Sequence, residues 1–310
     1  MSFATEVKNE ISLIDFDYEI NLVLLSAFVR NNGYKSLDEI VLTIENHKVV
    51  RKIVSLFKDI FDVVVDVEQV NKVNFSKKTI FNLTIKEKVV DILKTLVVID
   101  DNNNFLERPK DYFVGDLLDV ARGYLRGAFL ASGSVNDPKK SRYHLEFLVD
   151  YKEEALFICE LLGLFNINAK VITRDKGYMT YVKEAEKIGD FLRLISANRA
   201  VMYYEDIRIY RDHKNMTNRL NNCEQANVDK MIEASSKQLE DINIIVDKLG
   251  LDLIDEKIKE VIIYRRKYPE VSLNELSEIM SVETGKSITK SGLNHRMRKI
   301  HELAERLRNE

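Results

Sequence analysis

The sequence predicts an α+β protein in which two related α/β repeats form one domain and an all-α helix-turn-helix domain follows. Three observations carry that reading. Residues 123–133, Gly-Tyr-Leu-Arg-Gly-Ala-Phe-Leu-Ala-Ser-Gly, are apolar and rich in small side chains, and residues 25–33, Leu-Ser-Ala-Phe-Val-Arg-Asn-Asn-Gly, form a related stretch whose last glycine lies 100 positions earlier. Behind each stretch comes the same succession of helical and alternating apolar periods. Beyond Ala226 every apolar period is helical, and the last segment gathers basic residues. Gly127, Ala128, Ala131, Ser132 and Gly133 leave much of one side without bulk, so a second backbone can come close. The two stretches are therefore expected to be helices that pack against each other.

In the first repeat, residues 4–13 read as a helix and 22–30 as the motif helix, stopped by Asn31, Asn32 and Gly33. Residues 40–44 are β-branched and strand-like, and 47–61 place Val50, Ile53, Val54, Phe57 and Ile60 at helical spacing. Val63, Val65 and Val67 alternate with Asp66 and Glu68 over residues 62–70, as in a half-buried strand. Residues 79–85 alternate again, and 86–98 close the unit with a helix. The second repeat runs through the turn Asn136-Asp137-Pro138, a strand at 143–149 and a helix at 152–162 stopped by Gly163. A hairpin of 168–174 with 178–182 turns at Asp175-Lys176-Gly177, and 184–195 close the repeat. The expected domains are 1–105 and 106–200 for the repeats, 201–225 for a basic linker and 226–310 for the helix-turn-helix domain.

A chain of 310 residues, 45% hydrophobic and 31% charged, can bury a sizeable core in more than one domain, which argues against disorder. No apolar run approaches the roughly 18 residues of a membrane helix, and acids stand near the N-terminus where a secretory signal has a basic flank. The expectation is a cytoplasmic protein with no membrane partner. Cys159 falls on the apolar face of its helix and is expected to be a core thiol, while Cys223, in the linker, is expected to help dock a helix. The formal charge of −3 argues against a chain that coats nucleic acid indiscriminately. Local patches differ: residues 286–310 hold seven Lys and Arg against three Glu, the last being Glu310, and Arg208, Arg211, Lys214 and Arg219 interleave with Tyr203, Tyr204, Tyr210 and His213.

The C-terminal domain begins with a helix over 226–249, stopped by Gly250. Asp255 caps a second helix to Lys267, ended by Pro269, and Ser272-Leu273-Asn274-Glu275 is a capping box opening a short helix to Met280. A turn containing Gly285 leads to Thr289, which caps a last helix from Lys290 to about Leu307. This is the pattern of a helix-turn-helix. On the last helix Leu293, Met297, Ile300, Ala304 and Leu307 share one face, while Ser291, Asn294, His295, Arg298 and Lys299 gather opposite. Short hydrogen-bonding side chains flanked by long cations suit base reading with phosphate gripping. With Lys290 and Arg296 they make up the expected DNA-binding set, to which the linker cations Arg208, Arg211, Lys214 and Arg219 are added.

The element order over residues 21–196 resembles the LAGLIDADG homing-endonuclease fold, in which two such units pair through their motif helices and two sheets form a saddle over DNA. The resemblance implies that active members carry an acidic residue beside the final glycine of each motif helix, to hold divalent metals. Here those positions are Asn32 and Ser132, and the other acidic position is Arg30 in one copy and Leu130 in the other. A neutral amide and a hydroxyl do not gather two Mg²⁺ ions, which need anionic oxygens. No catalytic residue, metal or cofactor is therefore expected; Asp137 and Glu146 are the nearby acids through which an active metal-dependent endonuclease stands as the alternative. The five histidines, His47, His144, His213, His295 and His301, show no zinc-ligand pair, and no phosphate loop or nucleophile elbow is present.

Taken together, residues 125–138 (Leu-Arg-Gly-Ala-Phe-Leu-Ala-Ser-Gly-Ser-Val-Asn-Asp-Pro), 218–227 (Asn-Arg-Leu-Asn-Asn-Cys-Glu-Gln-Ala-Asn), 272–276 and 290–299 (Lys-Ser-Gly-Leu-Asn-His-Arg-Met-Arg-Lys) resemble the WhiA family of bacterial DNA-binding regulators. The resemblance implies a sequence-specific regulator of transcription that binds double-stranded DNA and is nucleoid-associated. In some Gram-positive bacteria the family is tied to sporulation, in others to cell division and chromosome segregation, with protein partners in the division or transcription machinery. A third reading makes the N-terminal domain a dock for a protein or small ligand while only the tail touches DNA. The turn over 281–288 departs from the family by lacking the proline expected there.

Overall fold

A computed structural model describes residues 1–71, 79–114, 117–140 and 142–309 of the chain, so Glu310 of the basic tail lies outside the described residues. Two compact units result, Met1–Arg211 and Asp212–Glu310.

The first unit opens with α1 (Phe3–Ile11), capped by the Ser2 hydroxyl, and the motif helix α2 (Tyr18–Arg30). Then follow β1 (Tyr34–Lys35), β2 (Ile40–Ile44), α3 (His47–Phe61), β3 (Asp66–Asn71), β4 (Thr79–Ile85) and α4 (Val89–Thr95). After the single turn α5 (Asp111–Val114), the second repeat runs α6 (Leu118–Ser132), β5 (Gly133–Val135), β6 (Leu145–Val149), α7 (Lys152–Leu164), β7 (Lys170–Arg174), β8 (Gly177–Val182) and α8 (Ala185–Leu194). Each repeat forms an antiparallel four-stranded sheet with the same topology, β1-β2-β4-β3 and β5-β6-β8-β7. Leu42, Leu83, Leu145 and Phe147 point to the helix-covered side and are fully buried. The internal repeat extends to backbone detail: Asp62 and Asn166 take left-handed conformations just after α3 and α7, and Val97 and Ser196 do so after α4 and α8.

Expected and observed elements agree in type and differ at their ends. The helix at 47–61 runs over those residues, because Asn46 Oδ1 accepts from Lys48 N and Val49 N to fix its start. The short strands β1 and β5 were not foreseen; two or three residues carry no alternation to detect. Gly133 consequently opens β5 instead of ending the motif helix, and Gly163 lies inside α7 instead of stopping it.

The larger correction concerns residues 201–225. The basic linker expected there is helical, part of α9 (Asn198–Lys248), a 51-residue helix that also contains the helix expected to begin at Ala226. Apolar periodicity fades there, but the segment has no glycine or proline to break a helix, and a solvated polar helix needs no apolar face where it is not packed. Glu10 fixes its start by accepting from Arg199 N (2.7 Å) and Ala200 N (3.1 Å), a carboxylate on the positive end of a helix.

The second unit adds α10 (Glu256–Lys267), α11 (Leu273–Thr284) and α12 (Lys290–Arg308) to the last part of α9. Its core joins Ile242 and Ile245 of α9 to Val261, Leu276, Leu293 and Ile300. Asp255, Ser272 and Thr289 cap the three helices as the sequence indicates, and the Ser272–Glu275 box is closed in both directions. Gly285, left-handed at φ 68°, ends α11 four residues later than expected. Among the described residues no helix is long and apolar enough to cross a membrane.

Candidate functional site

Two places in this architecture carry the residues singled out by the sequence: the seam of α2 with α6, and the exposed face of α12.

At the seam the glycines have a direct role. A Cβ on Gly127 would stand 2.1 Å from Leu24 O, and one on Gly123 would stand 2.9 Å from Val23 Cγ2, so only glycine admits this approach. The acid positions of the fold resemblance have other work. Asn32 binds the β2 backbone in both directions, Nδ2 donating to Thr43 O (3.0 Å) and Oδ1 accepting from Thr43 N (2.8 Å). An aspartate could make only the second of these bonds. Ser132 turns its hydroxyl back to Ala128 O at 3.3 Å. Leu130 is buried, and Asp137 accepts from Tyr203 Oη and Lys139 N while Glu146 holds His144 at 2.8 Å. Among the described residues, one grouping places three potential metal-ligand side chains together, Asp241, His301 and Glu305, and it lies in the second unit.

Arg30 is the least expected of these residues. It is 6% exposed and donates to Leu106 O (2.6 Å) and to Val97 O, closing the end of the first repeat. Its Nε lies 3.9 Å from Glu154 Oε2, on the second repeat. Glu154 is 1% exposed, and its Oε1 accepts from Tyr124 Oη (2.7 Å) and Asn31 Nδ2 (2.9 Å). Burial raises the Glu154 carboxyl above its ordinary value, opposed by Arg30, the two hydrogen bonds and Lys35. Sequence reasoning missed Glu154 because a glutamate in the first turn of a helix looks like an ordinary partner of the helix dipole. In the second repeat Arg126 does for its own last helix what Ser26 does in the first: Arg126 donates to Ile195 O (3.3 Å), Ser26 to Leu96 O (2.5 Å).

The open face of the first sheet pairs Asp66 with Thr84, Glu68 with Asn82 and Val70 with Ile80, with Val41 beside Thr84, so its described residues mix two acids with neutral polar and apolar side chains. The second sheet presents Glu146 beside Tyr181 and, on β7, Lys170 and Arg174.

On α12, Leu293, Met297, Ile300 and Ala304 are buried and Leu307 packs at the edge of the same core. Lys290, Ser291, Asn294, His295, Arg298 and Lys299 are all exposed. Arg296 differs: it is half-buried and lies 3.9 Å from Glu260 on α10, so its charge faces the domain. The turn before α12 is held by the Ser281 hydroxyl, which accepts from Ile288 N (3.0 Å) and donates to Ser277 O (2.6 Å). That bond supplies the rigidity that proline was expected to give. Asp241, 3% exposed, anchors α12 to α9 through His301 (2.7 Å) and Arg308 (3.0 Å). Of the cations at 201–225, Arg208 is bound to Glu205 at 2.7 Å, and Arg211 donates to Pro138 O and Lys140 O, both at 2.6 Å, over the Tyr143 ring. Lys214 and Arg219 are exposed. Cys223 is exposed rather than docking a helix, and the half-buried Cys159 thiol donates to Ala169 O at 3.4 Å.

Fold and motif helices together define a degenerate LAGLIDADG-like protein with a C-terminal helix-turn-helix domain. Family models match in three consecutive pieces: the WhiA N-terminal LAGLIDADG-like domain over residues 19–99, the WhiA LAGLIDADG-like domain over 121–214 and the WhiA C-terminal HTH domain over 217–304. The chain belongs to the WhiA family. It is 43% identical to the probable cell division proteins WhiA of Bacillus cereus (strain G9842) and Bacillus mycoides (strain KBAB4), in each case across 99% of this chain and 98% of the relative. The crystal structure of full-length DUF199/WhiA from Thermotoga maritima has the same fold, with a TM-score of 0.59 at 22% identity over 99% of both chains.

Proposed function

We propose that this chain is a sequence-specific DNA-binding regulator of the cell division programme, that α12 reads the bases, and that the LAGLIDADG-like unit does not cut DNA. The observation that carries the reading is the exposed row of Asn294, His295, Arg298 and Lys299 on the second helix of a helix-turn-helix whose opposite face is fully engaged in the core. Asn and Arg are the side chains that make paired hydrogen bonds to base edges in the major groove, and Lys neutralises phosphate. Arg298→Ala and Asn294→Ala are each expected to lose about 1–3 kcal/mol of discrimination at one base position. Lys299→Ala is expected to weaken all sequences alike and to reduce the slope of log affinity against log salt by about 1. Binding titrations of the full chain on a selected site and on single-base variants separate the two outcomes. Unchanged binding in all three variants would overturn the assignment of α12.

The acids Asp66 and Glu68 on the open face of the first sheet favour a division of labour in which that sheet does not grip the DNA backbone. Partners in the division or transcription machinery and a place on the nucleoid in the cytoplasm belong to this proposal. For catalysis, the expected result is an intact supercoiled plasmid after incubation with Mg²⁺, and reproducible double-strand cleavage would defeat the non-enzymatic reading. Asn32→Asp with Ser132→Asp is expected to leave the plasmid uncut as well, because the aspartate at 32 gives up its donor to Thr43 O.

A further inference from the structure

Beside the C-terminal ends of the motif helices lies a cavity of about 390 Å³, within the size range of small-ligand pockets. It is walled by both repeats and by α1. Phe28, Ile80 and Leu130 supply an apolar side; Lys8, Asn46 and Ser134 supply the polar one. Lys8 enters from α1, a helix with no counterpart in the second repeat. Among the described residues its ammonium makes no hydrogen bond or ion pair, and it lies over the Phe129 ring, 5.7 Å from the centroid. Burial lowers the Lys8 pKa to about 8, against a smaller opposing pull from Glu45 at the cavity rim. Asn46 caps α3 with Oδ1, while its Nδ2 is buried without a hydrogen-bond partner. The first turn of α3, which starts at this cavity, contains no acid, although Glu45 stands just before its cap.

An ammonium with no bonded partner, an unsatisfied amide donor and the start of a 15-residue helix thus converge on one cavity of mixed polar and apolar walls, with Glu45 at its rim. We propose that this cavity binds a small organic anion, with a carboxylate or phosphate group on Lys8 and an apolar body against Ile80 and Ala131. Anion binding would be charge-assisted at Lys8 and would relieve the amine of its unfavourable solitary charge. The same chemistry could come from a DNA backbone phosphate, and the test separates the two sources.

The full chain is acylated with a trace of acetic anhydride near pH 8, and modification at Lys8 is measured by peptide mass spectrometry against the exposed Lys139. Inorganic phosphate, citrate, adenosine 5′-monophosphate and a duplex oligonucleotide are added in separate titrations. At least one of the three small anions is expected to slow acylation at Lys8 saturably, by about tenfold, with Lys139 unchanged, since the charge-assisted bond is worth at least about 1.4 kcal/mol. Ala131→Leu, which fills the cavity without altering its charge, is expected to abolish that protection while Lys8 remains reactive. Lys8→Met is expected to weaken binding of the protecting anion about tenfold in calorimetry, with the thermal unfolding of each variant recorded as a check on folding. Protection by none of the small anions, protection by the duplex alone, or protection that survives Ala131→Leu in a folded protein would overturn the proposal.

Discussion

Gly127→Ala is expected to lower the stability of the first unit by about 3 kcal/mol or more, at the upper end of overpacking costs. The added carbon would stand 2.1 Å from Leu24 O and 2.9 Å from Ala27 Cβ. Neither neighbour is the movable end of a long side chain, so α2 and α6 must separate. Separation loosens every contact along the seam, because dispersion falls steeply once a gap of even half an ångström opens. Gly163→Ala is the internal control. It lies exposed in the last turn of α7, its φ outside the left-handed region, and an added Cβ meets nothing within 4 Å. There alanine is expected to stabilise by about 0.5–1 kcal/mol, because it restricts the unfolded chain and favours helix. In a unit of this size each kcal/mol moves the midpoint by about 2–4 °C, so thermal unfolding resolves both the fall and the rise. A neutral Gly127→Ala would mean that the two helices are not held by close backbone approach.

That seam was legible because glycine spacing on an apolar helix has a steric meaning that does not depend on the rest of the fold. The faces and caps of α10, α11 and α12 were legible for the same reason: a capping serine, an apolar stripe and a left-handed glycine act over one or two turns. The long helix α9 was not, since its middle is exposed and has no packed face to impose a period. Pairwise contacts between distant segments were beyond local reading altogether. Arg208 and Arg211 looked like free phosphate-gripping cations, but Glu205 and the carbonyls of Pro138 and Lys140 engage them. Arg296 sits among base-reading candidates in sequence, yet one position of helical rotation turns it toward Glu260. Lys8 gave no signal, because an isolated lysine on an amphipathic helix is ordinary until the other wall of its cavity is known.

Arg30→Met is expected to cost about 3–5 kcal/mol, the penalty for stranding the charge of a buried pair. The side chains of Arg30 and Glu154 are 3% and 1% exposed, so water does not replace the lost partner. The variant also leaves Val97 O and Leu106 O without their guanidinium donors, which couples the end of the first repeat to the second. Its pH dependence identifies the electrostatic part. In the folded protein burial already holds the Glu154 carboxyl above 4.5, with Arg30 the largest opposing influence. A raised carboxyl binds its proton more tightly folded than unfolded, so its contribution to stability is full below the unfolded value and is lost as pH rises through the folded one. Removing Arg30 widens that gap. The deficit of Arg30→Met relative to the parent is therefore expected to stay level until pH passes the parent's folded Glu154 value, which lies above 4.5, and to grow from there upward. Glu154→Gln should be less pH-dependent, since its amide oxygen still accepts from Tyr124 and Asn31 and no buried carboxylate remains to titrate. Urea unfolding at a series of pH values distinguishes these cases: a deficit for Arg30→Met that stays constant with pH would assign the role of Arg30 to the two carbonyls alone.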